Sequence, residues 1–272
     1  MTKYDRVLLA RQKERPTAKD YIEHLLTDFL EMHGDRRFGD DQAVITGIGL
    51  LGTLPVTVVG IEKGHDTKEK IECNFGAAHP EGYRKALRQM KLAEKFKRPV
   101  ICIIDTAGAY CGIGAEERGE GQAIAENLME MMELKTPVIS LVISEGGSGG
   151  ALALAVADEV WMLSNAYYSV ISPESCANIL WKDTTKAAWA AEALKLTARD
   201  LFEMNIIDHI IKEPRQYTVE HPNERFFSNM REQLCESFQK LLQIDQTDLL
   251  NMRYEKYRKI GRTENSDLSK IL

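Results

Sequence analysis

The chain has 272 residues, 44% hydrophobic and 28% charged, which suffices for a sizeable buried core and is ordinary for a globular protein. Its formal net charge of −6 argues against nucleic acid as a partner, so any anion site has to be local. Five cysteines, an odd number with wide gaps and no CxxC pair, argue against both a disulfide framework and a zinc ribbon in this chain.

The opening stretch MTKYDRVLLARQKERP holds one apolar run, Val7 to Ala10, too short and too charged at its flanks for a signal peptide. No segment approaches the roughly 18 apolar residues of a membrane span, so no membrane is expected and the expected compartment is the cytoplasm. Tyr21, Ile22, Leu25, Leu26, Phe29 and Leu30 fall on one helical stripe that stops near Gly34. AVITGIGLLGTLPVTVVGIEKG predicts two strands joined by a turn near Gly52 to Pro55. HPEGYRKALRQMKLAEKFKRP predicts a helix broken at Pro99. The chain then alternates: strand PVICIIDTAG, helix AEERGEGQAIAENLMEMMEL, strand PVISLVIS, short buried helix GGALALAVAD, and strand–turn–strand EVWMLSNAYYSVIS. Apolar strands alternating with helices imply a sheet covered on both faces. TKAAWAAEALKL and TARDLFEMN predict helices, IIDHIIKEP a short strand, and residues 225 to 262 one or two amphipathic helices. The weakest boundary is Pro214 to Pro222. The expectation is one α/β domain: a helical arm over 1–40, a core over 41–214 and a helical segment over 215–272.

Three stretches carry chemistry. The first is Gly146-Gly147-Ser148-Gly149-Gly150, set between an apolar strand and an apolar helix. No lysine follows it as in a phosphate loop, and G-x-G-x-x-G does not fit. It does fit G-x-S-x-G, which would make Ser148 a nucleophile with His209 as the nearest candidate base. Alternatively, paired glycines at a helix start expose backbone N–H groups to a developing oxyanion, or simply permit tight strand–helix packing. The second stretch is DTAGAYCGIGAEERGEG, a Gly- and Ala-rich loop leaving a strand end, where open α/β folds bind ligands. Glu116 and Glu117 in it read as helix-start charge more readily than as a catalytic pair. The third, residues 63 to 98, holds a local excess of Lys and Arg that suits either a phosphorylated or acidic partner or a solvated helix face.

NFGAAHPEGYRKALRQMKLAEKF, DTAGAYCGIGAEERGEGQAIAENL, SEGGSGGALALAVAD and YSVISPESCANILWKD, in that order, resemble the alpha subunits of bacterial acetyl-CoA carboxylase carboxyltransferase, over roughly residues 20 to 215; the tail NMRYEKYRKIG fits as well. The resemblance implies a crotonase-like (ClpP/crotonase) α/β superhelix of repeated β-β-α units with helical arms at both ends. It implies transfer of a carboxyl group from carboxybiotin, carried on biotin carboxyl carrier protein, to acetyl-CoA, forming malonyl-CoA without a protein nucleophile. It implies an α2β2 assembly whose beta subunit carries the zinc, with biotin carboxylase in the full complex. No metal is expected on this chain. Carried over, Gly149 and Gly150 are the backbone oxyanion hole for the biotin carbonyl, and Gly108, Ala109, Tyr110, Gly112, Gly114, Gly146, Gly147 and Ser148 line the substrate. Three departures stand out: Ala107 and Cys111 where the family has prolines, and Ser175 where glycine is usual. A serine hydrolase using Ser148 and His209, and a non-catalytic paralogue that keeps the fold, remain as alternatives.

Overall fold

A computed structural model describes residues 1–214 and 218–262; the expectations for 215–217 and 263–272 lie outside the described residues. The chain opens with α1 (Lys3–Ala10), α2 (Ala18–Leu25), β1 (Thr27–Glu31), β2 (Val44–Leu51), β3 (Leu54–Ile61) and α3 (Thr67–Glu72). The middle holds α4 (Pro80–Lys95), β4 (Val100–Thr106), α5 (Ile113–Glu117), α6 (Glu120–Met132), β5 (Val138–Gly147) and α7 (Ser148–Leu152). Then come β6 (Glu159–Leu163), β7 (Tyr167–Ser169), α8 (Pro173–Trp181), α9 (Ala187–Leu194), α10 (Ala198–Glu203), β8 (His209–Ile211), α11 (Glu224–Leu241) and α12 (Gln246–Lys259).

The strands form one mixed sheet in the order β1-β2-β3-β4-β5-β6-β8, with β7 paired to the far end of β5. The β1-β2-β3 pairs are antiparallel and the rest parallel. The β2–β3 hairpin turns at Gly52, where φ is +63°, a conformation glycine adopts without a Cβ penalty. Every residue of β4 and β5 is buried, as a central parallel strand covered on both faces requires.

Several elements differ from the sequence expectation, three of them for reasons visible in the fold. The helical stripe expected to run from Tyr21 to Leu30 ends at Leu25; β1 takes over and pairs antiparallel with β2, with Leu30 opposite Ile48. The spacing of Leu25, Leu26, Phe29 and Leu30 is helical, and the open edge of β2 overrides it by supplying backbone partners for a strand. The helix expected from Gly149 to Asp158 stops at Leu152. Ser140 Oγ donates to Leu154 O (2.6 Å) and Asn127 Nδ2 donates to Ala153 O (3.2 Å), so side chains take carbonyls that a continuing helix would use. Finally, α8 has no counterpart among the expected helices. Ser172 caps it, accepting from Ser175 N at 3.1 Å, and Pro173 occupies its first turn, where a missing N–H costs nothing.

The tail is tied to the sheet by two cations of α12, Arg253 and Lys256, the latter donating to Asp208 at 2.5 Å and to Asp158 O at 3.0 Å. Arg253 on α12 is fully buried and donates to both Asp158 oxygens (2.9 and 2.7 Å) and to the carbonyls of Met131, Leu134 and Thr136. Much of the basic 63–98 stretch is likewise spent internally. Arg84 reaches Asp35 at 2.8 Å, Lys85 reaches Asp40 at 2.5 Å, and Arg88 donates to Gly34 O at 3.0 Å, so α4 is pinned to the loop before β2.

Candidate functional site

The two glycine-bearing stretches leave the sheet side by side, because β4 and β5 are parallel neighbours with Thr106 opposite Gly146. The loop after β4 is held by Thr106, whose Oγ1 accepts from Gly108 N (3.0 Å) and donates to Gly108 O (2.8 Å). Tyr110 N donates to Ala78 O at 3.0 Å, and the Tyr110 ring stacks on His79 with centroids 4.2 Å apart. These contacts fix the loop that carries Ala107 and Cys111. Cys111 itself is exposed.

Close approach explains why three of the four glycines are glycines. A Cβ on Gly146 would lie 2.9 Å from the Tyr168 ring, and one on Gly147 would lie 2.1 Å from Ala107 O. A Cβ on Gly150 would lie 2.5 Å from Ala109 N and 2.9 Å from Tyr83 OH, which itself donates to Gly150 O at 3.3 Å. Gly149 differs: the nearest atom to its Cβ position is on Ile124, at 3.8 Å. Ser148 starts α7 with φ +52° and is exposed. The first N–H groups of a helix have no helical acceptor, so those of Ser148, Gly149 and Gly150 open the turn as donors. Gly112 and Gly114 sit farther along: a Cβ on Gly112 would strike the Tyr110 ring at 2.3 Å, and Gly114 lies in α5 near Arg118. Beside Ser148 and Gly149 opens a largely apolar cavity of about 530 Å³, lined also by Leu152, Tyr168, Val170 and Leu194.

The serine-nucleophile alternative fails on geometry. His209 pairs with Trp161, which pairs with Leu141, seven residues before Ser148 on β5. At about 3.3 Å per residue the two side chains are roughly 20 Å apart along the sheet. His209 instead packs on Trp161, with centroids 4.9 Å apart. Glu116 and Glu117 are both exposed on α5 and hold no partner in the cleft, in keeping with helix-start charge. Among the described residues no group of three or more His, Cys, Asp or Glu is placed to hold a metal ion, and no helix is long and apolar enough to cross a membrane.

Beneath the glycines lies a charge network that sequence reasoning missed. Lys63 Nζ bridges Asp105 (2.7 Å) and Glu145 (2.6 Å), the last charged residues before each loop. The other Glu145 oxygen accepts from Arg11 Nε (2.8 Å) and Tyr167 OH (2.5 Å). Burial alone pushes the Glu145 carboxyl up, but the Lys63 ammonium and hydrogen bonds from Lys63, Tyr167 and Arg11 outweigh it and bring the pKa down to about 2. Asp105 moves the other way, because its burial outweighs Lys63. Burial disfavours the Lys63 charge, yet the two carboxylates hold its pKa above the ordinary lysine value. The only sequence signal for this network is that a charged residue precedes each glycine loop.

The chain matches the family described as acetyl co-enzyme A carboxylase carboxyltransferase-like over residues 1–261. It is 61% identical over 261 residues to the acetyl-coenzyme A carboxylase carboxyl transferase subunit alpha of Ruminiclostridium cellulolyticum, covering 96% of this chain and 98% of that one. It is 54% identical over 269 residues to a protein of Natranaerobius thermophilus named for subunits beta/alpha together, covering 98% of this chain and 44% of that protein. Among solved structures, the transcarboxylase 12S core superposes with a TM-score of 0.67 at 17% identity, over 94% of this chain and 44% of that one. This chain therefore spans under half of the 12S chain, and the likeness carries the crotonase-like carboxyltransferase fold alone. With a family match that runs from its first residue to Gly261 and a relative of 61% identity along nearly its whole length, the chain belongs to the acetyl-CoA carboxylase carboxyltransferase-like family.

Proposed function

We propose that the chain works as the alpha subunit of an acetyl-CoA carboxylase carboxyltransferase, moving a carboxyl group from carboxybiotin to acetyl-CoA to give malonyl-CoA for fatty acid synthesis. The observation that carries this is the backbone cradle. The end of β5 delivers Gly149 and Gly150 into the first turn of α7, whose N–H groups have no helical acceptor; Gly149 borders an apolar cavity, Gly150 packs against the loop after β4, and no nucleophile–base pair accompanies them.

The residues fit a biotin ring. The cavity of about 530 Å³ has room for a bicyclic group, and its apolar walls raise the value of each hydrogen bond made at its mouth. When bound, carboxybiotin supplies the carboxyl group and a ureido nitrogen that accepts the proton of the acyl methyl group. The N–H groups of Gly149 and Gly150 would hold the ureido carbonyl oxygen; one such donor is worth about 3–4 kcal/mol in a transition state. Gly146, Gly147 and Ser148 shape the approach from β5, and the loop bearing Gly108, Ala109, Tyr110, Gly112 and Gly114 packs against the backbone of Gly147 and Gly150, outside the residues that line the cavity. The turn is only five residues long, so local N–H groups rather than a helix dipole carry the effect.

Acetyl-CoA lies mainly on a beta subunit in this reading, and that subunit carries the zinc. An α2β2 assembly, served by biotin carboxyl carrier protein and biotin carboxylase in the cytoplasm, completes the system. Residues 41–214 carry most of the carboxyltransferase core; the 1–40 segment adds α1, α2 and the edge strand β1 to it, and 215–272 follows. The relative that joins beta and alpha in one chain supports the pairing.

The test is malonyl-CoA decarboxylation with biocytin as carboxyl acceptor, run with the chain alone and with a beta subunit from the same cell. Biocytin-dependent acetyl-CoA formation in the mixture alone is the expected result. A stable complex without that activity refutes the proposal.

A further inference from the structure

The last turn of β5 is not an ordinary strand. Its ladder with β4 pairs Ile104 with Val142 and then Thr106 with Gly146, so three residues of β5 bulge opposite one residue of β4. The groups freed by the bulge are taken by charged side chains. Glu145 N donates to Asp105 Oδ1 at 3.1 Å. Ile143 O accepts from Arg15 Nη2 at 2.7 Å, and Ser144 Oγ accepts from Arg15 Nε at 2.8 Å. Arg11 reaches the same turn from the N-terminal segment: its Nε donates to Glu145, its Nη1 donates to Glu174 at 2.7 Å, and its Nη2 donates to Tyr167 OH at 3.3 Å. Arg11 thereby ties three elements at one point: the end of β5, the strand β7 paired to it, and the first turn of α8. Four residues past Glu145 the chain reaches Gly149, with no long side chain between to take up slack.

We infer that Arg11 is a positioning residue for carboxyl transfer: through Glu145 and Glu174 it sets the height of Gly149 and Gly150 against the Ala107–Gly112 loop. This rests on the oxyanion reading of those glycines. Arg11 touches no reacting atom. Its removal leaves Glu145 partnered by Lys63 and Tyr167, so the buried carboxylate stays compensated and the fold persists while the tie between β5 and α8 is lost. Lysine cannot replace it fully, because one ammonium does not reproduce a fork that serves two carboxylates and a phenol.

The experiment compares wild type, Arg11→Met, Arg11→Lys and Gly150→Val, each in complex with the beta subunit, by steady-state malonyl-CoA decarboxylation with biocytin, with assembly checked by gel filtration. Arg11→Met is expected to lose about 10²-fold in kcat, the scale of an ångström-level misplacement, with KM for malonyl-CoA within about twofold of wild type. Arg11→Lys should regain part of that loss. An assembled Arg11→Met complex with wild-type kcat overturns the proposal; should that variant fail to assemble, wild-type kcat in Arg11→Lys overturns it instead. An inactive Gly150→Val beside a fully active Arg11→Met removes only the positioning role. An active Gly150→Val removes the oxyanion reading and the positioning role with it.

Discussion

Gly149 and Gly150 are adjacent, yet the structure predicts opposite responses to the same added methyl group. In Gly150→Ala the new Cβ would start 2.5 Å from Ala109 N and 2.8 Å from Gly108 C, both backbone atoms. Ordinary contact for such pairs is about 3.5 Å, so the two loops must separate by close to an ångström. Overpacking of this kind costs about 1–3 kcal/mol in stability. On the proposed oxyanion role, the same displacement would move the donors off the carbonyl oxygen, at a cost of about 10²-fold in rate. In Gly149→Ala the Cβ meets only Ile124 at 3.8 Å, so no loop has to move. Alanine is also the better helix former by about 1 kcal/mol. Thermal melting of the chain and the malonyl-CoA–biocytin assay on the complex read both quantities. Gly150→Ala should melt several degrees lower and lose the larger share of kcat. Gly149→Ala should melt at or above wild type. Equal melting points and equal rates for the two variants would refute the argument from close approach.

Arg253→Met should loosen the C-terminal helix, which Lys256 and Tyr257 still hold. The substitution leaves the buried Asp158 carboxylate with Val138 N as its hydrogen-bond donor and removes its ion-pair partner, and breaking a buried pair by removing one partner costs about 3–5 kcal/mol; an unchanged denaturation midpoint would argue that the Arg253 tie contributes nothing. Glu120 predicts a pH effect. Its carboxyl oxygens are buried without a hydrogen-bond partner, and burial, then the charges of Asp41, Glu81 and Glu116, raise its pKa to about 8. A raised acid favours folding fully below its unfolded pKa of about 4.3, and that contribution is lost as pH rises through about 8. Glu120→Gln should therefore flatten the fall in melting temperature between those pH values; parallel pH profiles for the two proteins would show that Glu120 is not the group responsible.

The glycine run and the loop of residues 105–112 were legible because their information is local. Four glycines in five positions report backbone that must come close to something. Central strands announce themselves through unbroken apolar runs, and α4 through its 3.6-residue period. Short-range patterns could not say where the helical stripe starting at Tyr21 should stop, since Phe29 and Leu30 continue its helical spacing. The open edge of β2 settled that, and it lies about twenty residues on. Nor could sequence reject Ser148 with His209, because strand order and register alone place those two side chains far apart.

The sequence by itself determined the family, the alternation of strands and helices, and the glycines at the mouth of the cleft. Tertiary structure decided what holds those glycines in place. Arg11 and Lys63 meet Glu145 across 134 and 82 residues of chain, and Arg253 meets Asp158 across 95. A charged side chain read in sequence looks like one more solvated residue. Only the fold, by bringing it beside an opposite charge and removing water from both, turns it into a fixed part of the site.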